Sequence, residues 1–344
     1  MKSSLGLDDR FERFRTWMRR RDSLLRVLGY ATAVVGIALA WLFFWAIFAP
    51  IGWFAQDGVT YLAAAERLNA GHGLYSLVPG DRLVAGFGTE CCPFPLMSPP
   101  PIAVLWRPIA LLGPEAALLI WDWVNAVSIV ATVGLLMVRL PLATGIFTVL
   151  LSLPLAQETL LGNVNGILLV GIAAVWLLGR SGRFALAGAV IAVMAAVKLW
   201  PAVLIVWFVS QGHYRALKGF LAGALVMALT SLVGAGWMAH IDYLGTVIPA
   251  TAGQAPLATM VRAATGIDVP WIGYAVLGAG MVEVWALRAR PRVAWATVVL
   301  TMVFGSPVFH VGTLVLLFGA LVPWAEPARI QVQSAATAMP DTEP

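Results

Sequence analysis

Charge is scarce in this chain. Only 11% of its 344 residues are Asp, Glu, Lys or Arg, against 60% that are hydrophobic, and the mean hydropathy is +0.86. A soluble globular domain carries about 25% charged residues, so that class is excluded and a polytopic membrane protein is left. Cysteine is nearly absent as well. Its two copies, Cys91 and Cys92, are adjacent and have no His–Cys spacing, which excludes a zinc module. No G-x-x-x-x-G-K-[ST] loop occurs, and the short inner loops leave no room for a nucleotide-binding domain. Strand-like alternation is missing too. The apolar runs are long and unbroken, which reads as helix, and lipid permits only helices or closed barrels. The fold expected is an all-α integral membrane protein.

The few charges that exist are placed unevenly. The net charge of +5 could point to nucleic acid, but Arg10, Arg13, Arg15, Arg19, Arg20, Arg21 and Arg26 all precede the first apolar run, and Asp57, Glu66, Asp81 and Glu90 follow it. Basic residues beside a span mark the cytoplasmic side, so the N-terminus is expected inside and Asp57 outside, with membrane lipids rather than nucleic acid as the surroundings. The run over 27–50 is too long for a signal-peptide core and reads as an anchor. Three regions follow: a basic cytoplasmic segment over 1–26, a membrane domain over 27–324, and a disordered tail over 325–344, "AEPARIQVQSAATAMPDTEP" without its last-span residues.

Further apolar segments fall near 99–113, 115–138, 141–156, 164–178, 184–198, 200–210, 219–236, 271–287, 293–305 and 308–324. A crossing takes about 20 apolar residues, and several of these are shorter, so about 9–11 membrane segments are expected, some of them partial. Basic clusters at Arg180/Arg183, Arg215/Lys218 and Arg288/Arg290/Arg292 belong on one face. Between Arg183 and Arg215 the chain must leave that face and return, which sends Lys198 in "AVKLWP" toward the side of Asp57. Parity is kept only if one segment is partial, and 99–113 is the best candidate, because it opens on "SPPP" and carries Arg107.

That reading gathers polar residues on the outer side: Asp57, Glu66, Arg67, His72, Asp81, Arg82, Gln157, Glu158, Asn163, Asn165, Lys198, Gln254, Arg262 and His310. After Asp57, "GVTYLAAAERLN" puts Tyr61, Ala64, Ala65 and Leu68 on one helical face and Glu66 and Asn69 on another. A short interfacial helix in the first outer loop is predicted, ended by Asn69, Gly71 and Gly73. Asp57 reads there either as its N-cap or as a general base at the membrane surface. Lys198 reads as a buried counter-charge or as a side chain reaching an interface. "GNVNG" reads as a turn or as a source of sugar-hydroxyl partners.

"QDGVTYLAAAERLNAGHGLYSL", "PFPLMSPPPIAVLWRPIALLGPEAALLIWDWVN", "LLGNVNGILLVGIAAVWLLGRSGRFALAGAVIAVMAAVKLWPAVLIVWFV", "GQAPLATMVRAATG" and "SPVFHVGTLVLLFGALVPW" together resemble, in order, blocks of glycosyltransferase family 87. The resemblance implies a GT-C type helical bundle in a bacterial plasma membrane. Its implied activity is inverting transfer of a hexose, most simply mannose, from a polyprenyl phosphate to a lipid-linked or glycan acceptor on the extracytoplasmic face. No metal-ligand cluster is visible in the sequence, so no metal and no cofactor are expected. The resemblance further implies Asp57 as catalytic base. The chemistry of such a reaction points to Lys198, His310 and Arg262 as donor-phosphate contacts, with acceptor orientation or a hydrogen bond within the bundle as the other reading of His310 and a solvated outer-loop charge as that of Arg262, and to Glu158, Asn163 and Asn165 as sugar or acceptor contacts. Asn163 stands where the family more often has Gln, while Asn165, Lys198, Ser306, Pro307 and His310 match its pattern. A transporter or flippase with the same charges along a pathway is the alternative, although the internal repeats expected of one are not visible.

Overall fold

The computed structural model describes residues 5–48, 56–77, 79, 96–251, 256–306 and 310–325. Asp81, Arg82, Cys91, Cys92, Gln254, Pro307 and the tail from 326 lie outside the described residues. Among those described, the regular structure is helical.

The first helix, α1 (Leu5–Phe43), continues as a π-helical turn over Phe44–Phe48. After it come α2 (Gln56–Asn69), α3 (Pro100–Ala110), α4 (Pro114–Arg139), α5 (Pro141–Leu150), α6 (Ser152–Leu161), α7 (Asn165–Arg180) and α8 (Phe184–Val197). A 3-10 turn over Trp200–Val203 leads into α9 (Leu204–Ser210), and α10 (Tyr214–Asp242) is the last long helix. The remainder is α11 (Ile248–Thr251), α12 (Pro256–Thr265), α13 (Ile272–Ala286), α14 (Pro291–Phe304), a 3-10 segment over Val311–Leu317 and α15 (Phe318–Leu321).

Asp22–Ile47, Pro114–Arg139 and Tyr214–Val247 are each long and apolar enough to cross a bilayer, and the other apolar helices are shorter. Large apolar side chains face outward along all three; Val233 is 90% exposed. Such a surface suits lipid and would be an aggregation hazard in water.

Small residues set how these helices pack. A β-carbon added at Gly188 would collide with the Ala216 carbonyl, and one at Gly219 with that of Ala185, so α8 and α10 lie backbone to backbone and parallel. Gly29 against Pro141 and Gly36 against Thr148 do the same for α1 and α5. Lipid gives apolar side chains no preference for one another over acyl chains, so close approach at small residues is what holds such helices together.

These contacts fix the sense of each pass. From the end carrying Arg139, Arg180, Arg183, Arg215 and Arg288, the chain rises along α1, α5 with α6, α8, α10 and α14. It descends along α4, α7, α9, α13 and the segment from Val311. Trp121 Nε1, near the start of α4, donates to Gly162 O just past α6 at 2.6 Å, and at the basic end Gln211 Nε2 donates to Arg288 O at 3.0 Å.

The segment predicted to be partial is α3. It lies beside α2 with both helices starting at the same cavity, and its Arg107 never meets lipid alone. Arg107 Nε donates to Asn69 Oδ1 at 2.8 Å, Nη1 donates to Gly234 O at 2.8 Å, and Asn69 Nδ2 donates back to Arg107 O at 3.1 Å. The helix α2 ends as predicted: Gly71 takes φ 78°, and His72 N donates to Arg67 O at 2.9 Å. It is more enclosed by the protein than a one-sided amphipathic helix would be, since all of it but Asp57, Val59, Glu66 and Asn69 is buried. The reason is aromatic packing from two sides: Tyr61 meets Trp106 and Trp121 with centroids 6.0 and 5.9 Å away.

Candidate active site

Three interruptions in the helices meet at the end opposite the basic clusters. The first is Gly162, whose left-handed φ of 60° ends α6 and turns the chain through Asn163 into α7, which begins at Asn165. The second follows Val197. Lys198 is extended at φ −142°, ψ 129°, and Pro201 prevents α8 from continuing. The third is the stretch after Phe304, where His310 is extended at φ −116°, ψ 146°. With the first turn of α2, these breaks line a cavity of about 60 Å³ whose walls include Asp57, Tyr61, Asn163, Lys198, Tyr243 and His310.

Hydrogen bonding orders the cluster from one carboxylate to another. Asn163 Nδ2 donates to Asp57 Oδ2. Asn163 Oδ1 accepts from Lys198 Nζ at 2.7 Å and from Val164 N at 2.7 Å. Lys198 Nζ also donates to Asn165 Oδ1 at 2.9 Å, and Asn165 Nδ2 donates to Glu158 Oε2 at 2.8 Å. An ammonium can only donate and an ionised carboxylate can only accept. Each amide must therefore turn its oxygen to the lysine and its nitrogen to the acid, so chemistry alone fixes the orientation of both. Reversing either amide would set donor against donor and acceptor against acceptor.

Burial makes this order costly to break. Lys198 is 6% exposed, Asn165 0% and Glu158 1%, and an uncompensated charge at such depth costs several kcal/mol. The ammonium lies 5.6 Å from the centroid of Trp200, a cation–π contact. Glu158 sits against the third interruption: a β-carbon at Gly312 would lie 2.8 Å from its Oε2, and the neighbouring Gln157 Oε1 accepts from Gly312 N at 2.6 Å. Glu158 Oε1 has no hydrogen-bond partner among the described residues.

The expectation that Asp57 caps α2 needs revision, because Gln56 starts that helix and Asp57 is its second residue. Its carboxylate is met by Asn163 and lines the cavity. Tyr61 and His310 are shifted in opposite directions. Burial first, and then the charge of Asp57, raises the Tyr61 phenol well above its ordinary value, so it stays a proton donor. Burial lowers His310, with Asp57 opposing the shift and Lys198 adding to it, which favours a neutral imidazole.

Asp57, Asn163, Lys198 and His310 line the cavity itself, while Asn165 and Glu158 stand behind Lys198. Arg262 is not brought to this cluster; it is exposed on α12 and does not line the cavity. Sequence inspection missed Tyr243. It reaches the cavity because α10 breaks at Gly236, with φ 80° and ψ 166°. His240 spans that break, Nδ1 donating to Gly236 O at 2.9 Å and Nε2 meeting Ser231 Oγ at 3.0 Å. Tyr75 then stacks on Tyr243, centroids 6.1 Å apart, and donates to Ser98 O at 2.7 Å. A Gly inside an apolar run was the available signal, and by itself it is too common to mark a kink.

An apolar helical bundle with an acid, an ammonium and a histidine walled into one small cavity at its end defines a membrane protein equipped for polar chemistry at the bilayer surface. Residues 97–316 match glycosyltransferase family 87, and the chain belongs to that family. It is a membrane glycosyltransferase. The matched stretch contains Lys198, Asn163, Asn165, Glu158 and His310 but not Asp57, which the fold brings to them. No significant match was found among curated proteins or among solved structures.

Proposed function

We propose that the protein transfers a hexose, most simply mannose, from a polyprenyl phosphate to a hydroxyl of a lipid-linked or glycan acceptor, on the extracytoplasmic face of a bacterial plasma membrane. The observation that carries the reading is the single cavity shared by Asp57, Lys198 and His310. Asp57 is the general base. It takes the proton of the acceptor hydroxyl as that oxygen attacks C1 from the face opposite the leaving group, which inverts the anomeric centre. The C1–O bond breaks with its electron pair going to the phosphate. Lys198, with His310 beside it, meets that growing charge, and fixed donors in a water-poor site are most effective where charge develops.

The surroundings support a lipid donor. An apolar groove of about 460 Å³ between α3, α8 and α10 shares Pro99 and Tyr243 with the polar cavity, so an isoprenoid chain in the groove would present its phosphate at the cavity. The basic clusters at the far end support a cytoplasmic location for that end, which leaves the cavity outside, where nucleotide sugars are absent and a lipid carrier can bring activated sugar. In this reading Asn163 links base to cation, whereas Asn165 and Glu158 act by holding Lys198 rather than by touching sugar.

Asp57→Asn is the direct test. The purified protein, given radiolabelled polyprenyl-phosphate mannose and a membrane-lipid extract, is expected to form a labelled glycolipid, and the variant to lose roughly 10²- to 10⁴-fold in rate. A variant that keeps its rate within a few-fold removes Asp57 as base. Transfer from polyprenyl-phosphate arabinofuranose in preference to mannose changes the sugar and leaves the mechanism standing.

A further inference from the structure

A second polar cavity lies at the opposite end of the bundle, and the transfer reaction has no use for it. It measures about 170 Å³ and is lined by Trp176, Gly179, Arg180, Trp207, Gln211, His213, Pro291 and Arg292. Four parts of the chain build it: the last turn of α7, α9, the turn between α9 and α10, and the start of α14. Its floor is indole. Trp176 and Trp207 pack with centroids 5.3 Å apart, and Trp207 Nε1 donates to Pro291 O at 2.9 Å, which fastens the floor to the start of α14. Gln211 Nε2 donates to Arg288 O at 3.0 Å and fixes the turn in the same way.

Around that floor stand two guanidinium groups, an imidazole and an amide, and among the described residues no carboxylate lines the cavity. Helices α10 and α14 begin there while α7 and α9 end there, so the helix dipoles largely offset one another and the positive field comes from the two guanidinium groups. A bias of basic residues toward one face explains Arg and Lys scattered over this end. It does not explain their convergence from separate segments onto one aromatic-floored hollow.

We infer that this cavity binds a phosphate-bearing anion, gripped by the guanidinium groups of Arg180 and Arg292. Planar guanidinium forks match the oxygens of phosphate in a way that a lysine does not. The hollow is roomy enough for several waters, hence for a phosphate group with the beginning of its ester. Two sources share this chemistry: the headgroup of an anionic phospholipid and free inorganic phosphate. Leu177, about one helical turn before Arg180, and Val293, next to Arg292 in the chain, are 46% and 42% exposed, which gives an acyl chain apolar surface near the headgroup position.

Thermal unfolding of the full-length protein tests the inference without reference to transferase activity. The protein is reconstituted in phosphatidylcholine vesicles, in the same vesicles with phosphatidylglycerol added, and in phosphatidylcholine with inorganic phosphate. Phosphatidylglycerol is expected to raise Tm saturably, and Arg180→Gln/Arg292→Gln to shift half-saturation to higher concentration by roughly tenfold for each guanidinium lost. Arg215→Gln/Lys218→Gln removes as much charge from the same end outside the cavity and is expected to keep the wild-type response. A response to inorganic phosphate alone, lost in the arginine double variant, supports the site and assigns the free ion. The inference is overturned if neither phosphate source shifts Tm, or if both double variants lose the response equally. Should the arginine double variant be unstable in phosphatidylcholine alone, Arg292→Lys takes its place. It keeps the charge and loses the fork, and an unchanged half-saturation in it overturns the inference as well.

Discussion

The two ends of the bundle use charge in opposite ways. At the cavity holding Asp57, charges of both signs are buried and joined through neutral amides, each asparagine serving an acid with its nitrogen and the lysine with its oxygen. At the other end the charge is mostly basic and largely exposed. Exposed basic groups are cheap to keep in water and encode orientation through their number. A buried lysine is kept only with partners in place, and its position is then set to within a hydrogen bond's tolerance. The comparison teaches that in this chain a charge marks chemistry by being enclosed and connected.

The comparison breaks most sharply at Lys198. In Lys198→Met two amide oxygens face a thioether, and Asp57 and Glu158 lose the cation between them. Transfer is expected to fall by roughly 10²- to 10³-fold, the scale of removing a group that meets developing charge, and Tm to fall with it. An Arg288→Gln variant at the opposite end, assayed alongside, is expected to stay within about twofold. If Lys198→Met keeps a tenth or more of the wild-type rate in the radiolabelled transfer assay, enclosure has been mistaken for function.

A smaller effect is expected behind the lysine. Asn165→Leu cuts the link from Glu158 to Lys198 and leaves a buried carboxylate oxygen without its donor, a loss of about 1–3 kcal/mol. Rate is expected to fall about tenfold through kcat, with the donor KM nearly unchanged, because Asn165 does not line the cavity. Glu158→Gln still offers an oxygen to Asn165 Nδ2 and is expected to lose less, roughly threefold. A rise in the donor or acceptor KM as the main effect of Asn165→Leu would return that residue to direct sugar contact. Steady-state kinetics with donor and acceptor varied separately distinguish the two.

Much of this architecture was legible in the sequence, because lipid removes alternatives. Long apolar runs had to be helices, the Arg and Lys clusters fixed which ends lie together, and "SPPP" set the start of α3, a helix of 11 residues. The candidate site was legible one residue at a time. Lys198 before Leu-Trp-Pro stood out as a charge in an apolar setting, and Asp57 as an acid at a predicted helix start. The amide connections were not legible, since the side-chain roles of Asn163 and Asn165 depend on the left-handed Gly162 and on the extended backbone at 198. Tyr243 was hidden for a related reason. Its direction follows from a backbone break at Gly236, and a sequence reports the composition of a helix more readily than the place where it bends.

Arg262 sharpens the comparison with the smallest change. It belongs to the same end as the cavity, by chain order between α10 and α13, yet its side chain is exposed on α12 and stands apart from the cluster. Its charge, on the side where a donor phosphate would sit, favours a phosphate contact for it; enclosure as the mark of function favours none. In the structure as it stands, Arg262→Gln is expected to change transfer by no more than about twofold and to leave the donor KM and Tm where they are. A donor KM raised by tenfold or more, with Tm unchanged, would mean that Arg262 reaches the donor after all, with α12 carrying its charge to the cavity on binding. Kinetics on this one variant thus decide whether the site is complete in the fold or is finished by its substrate.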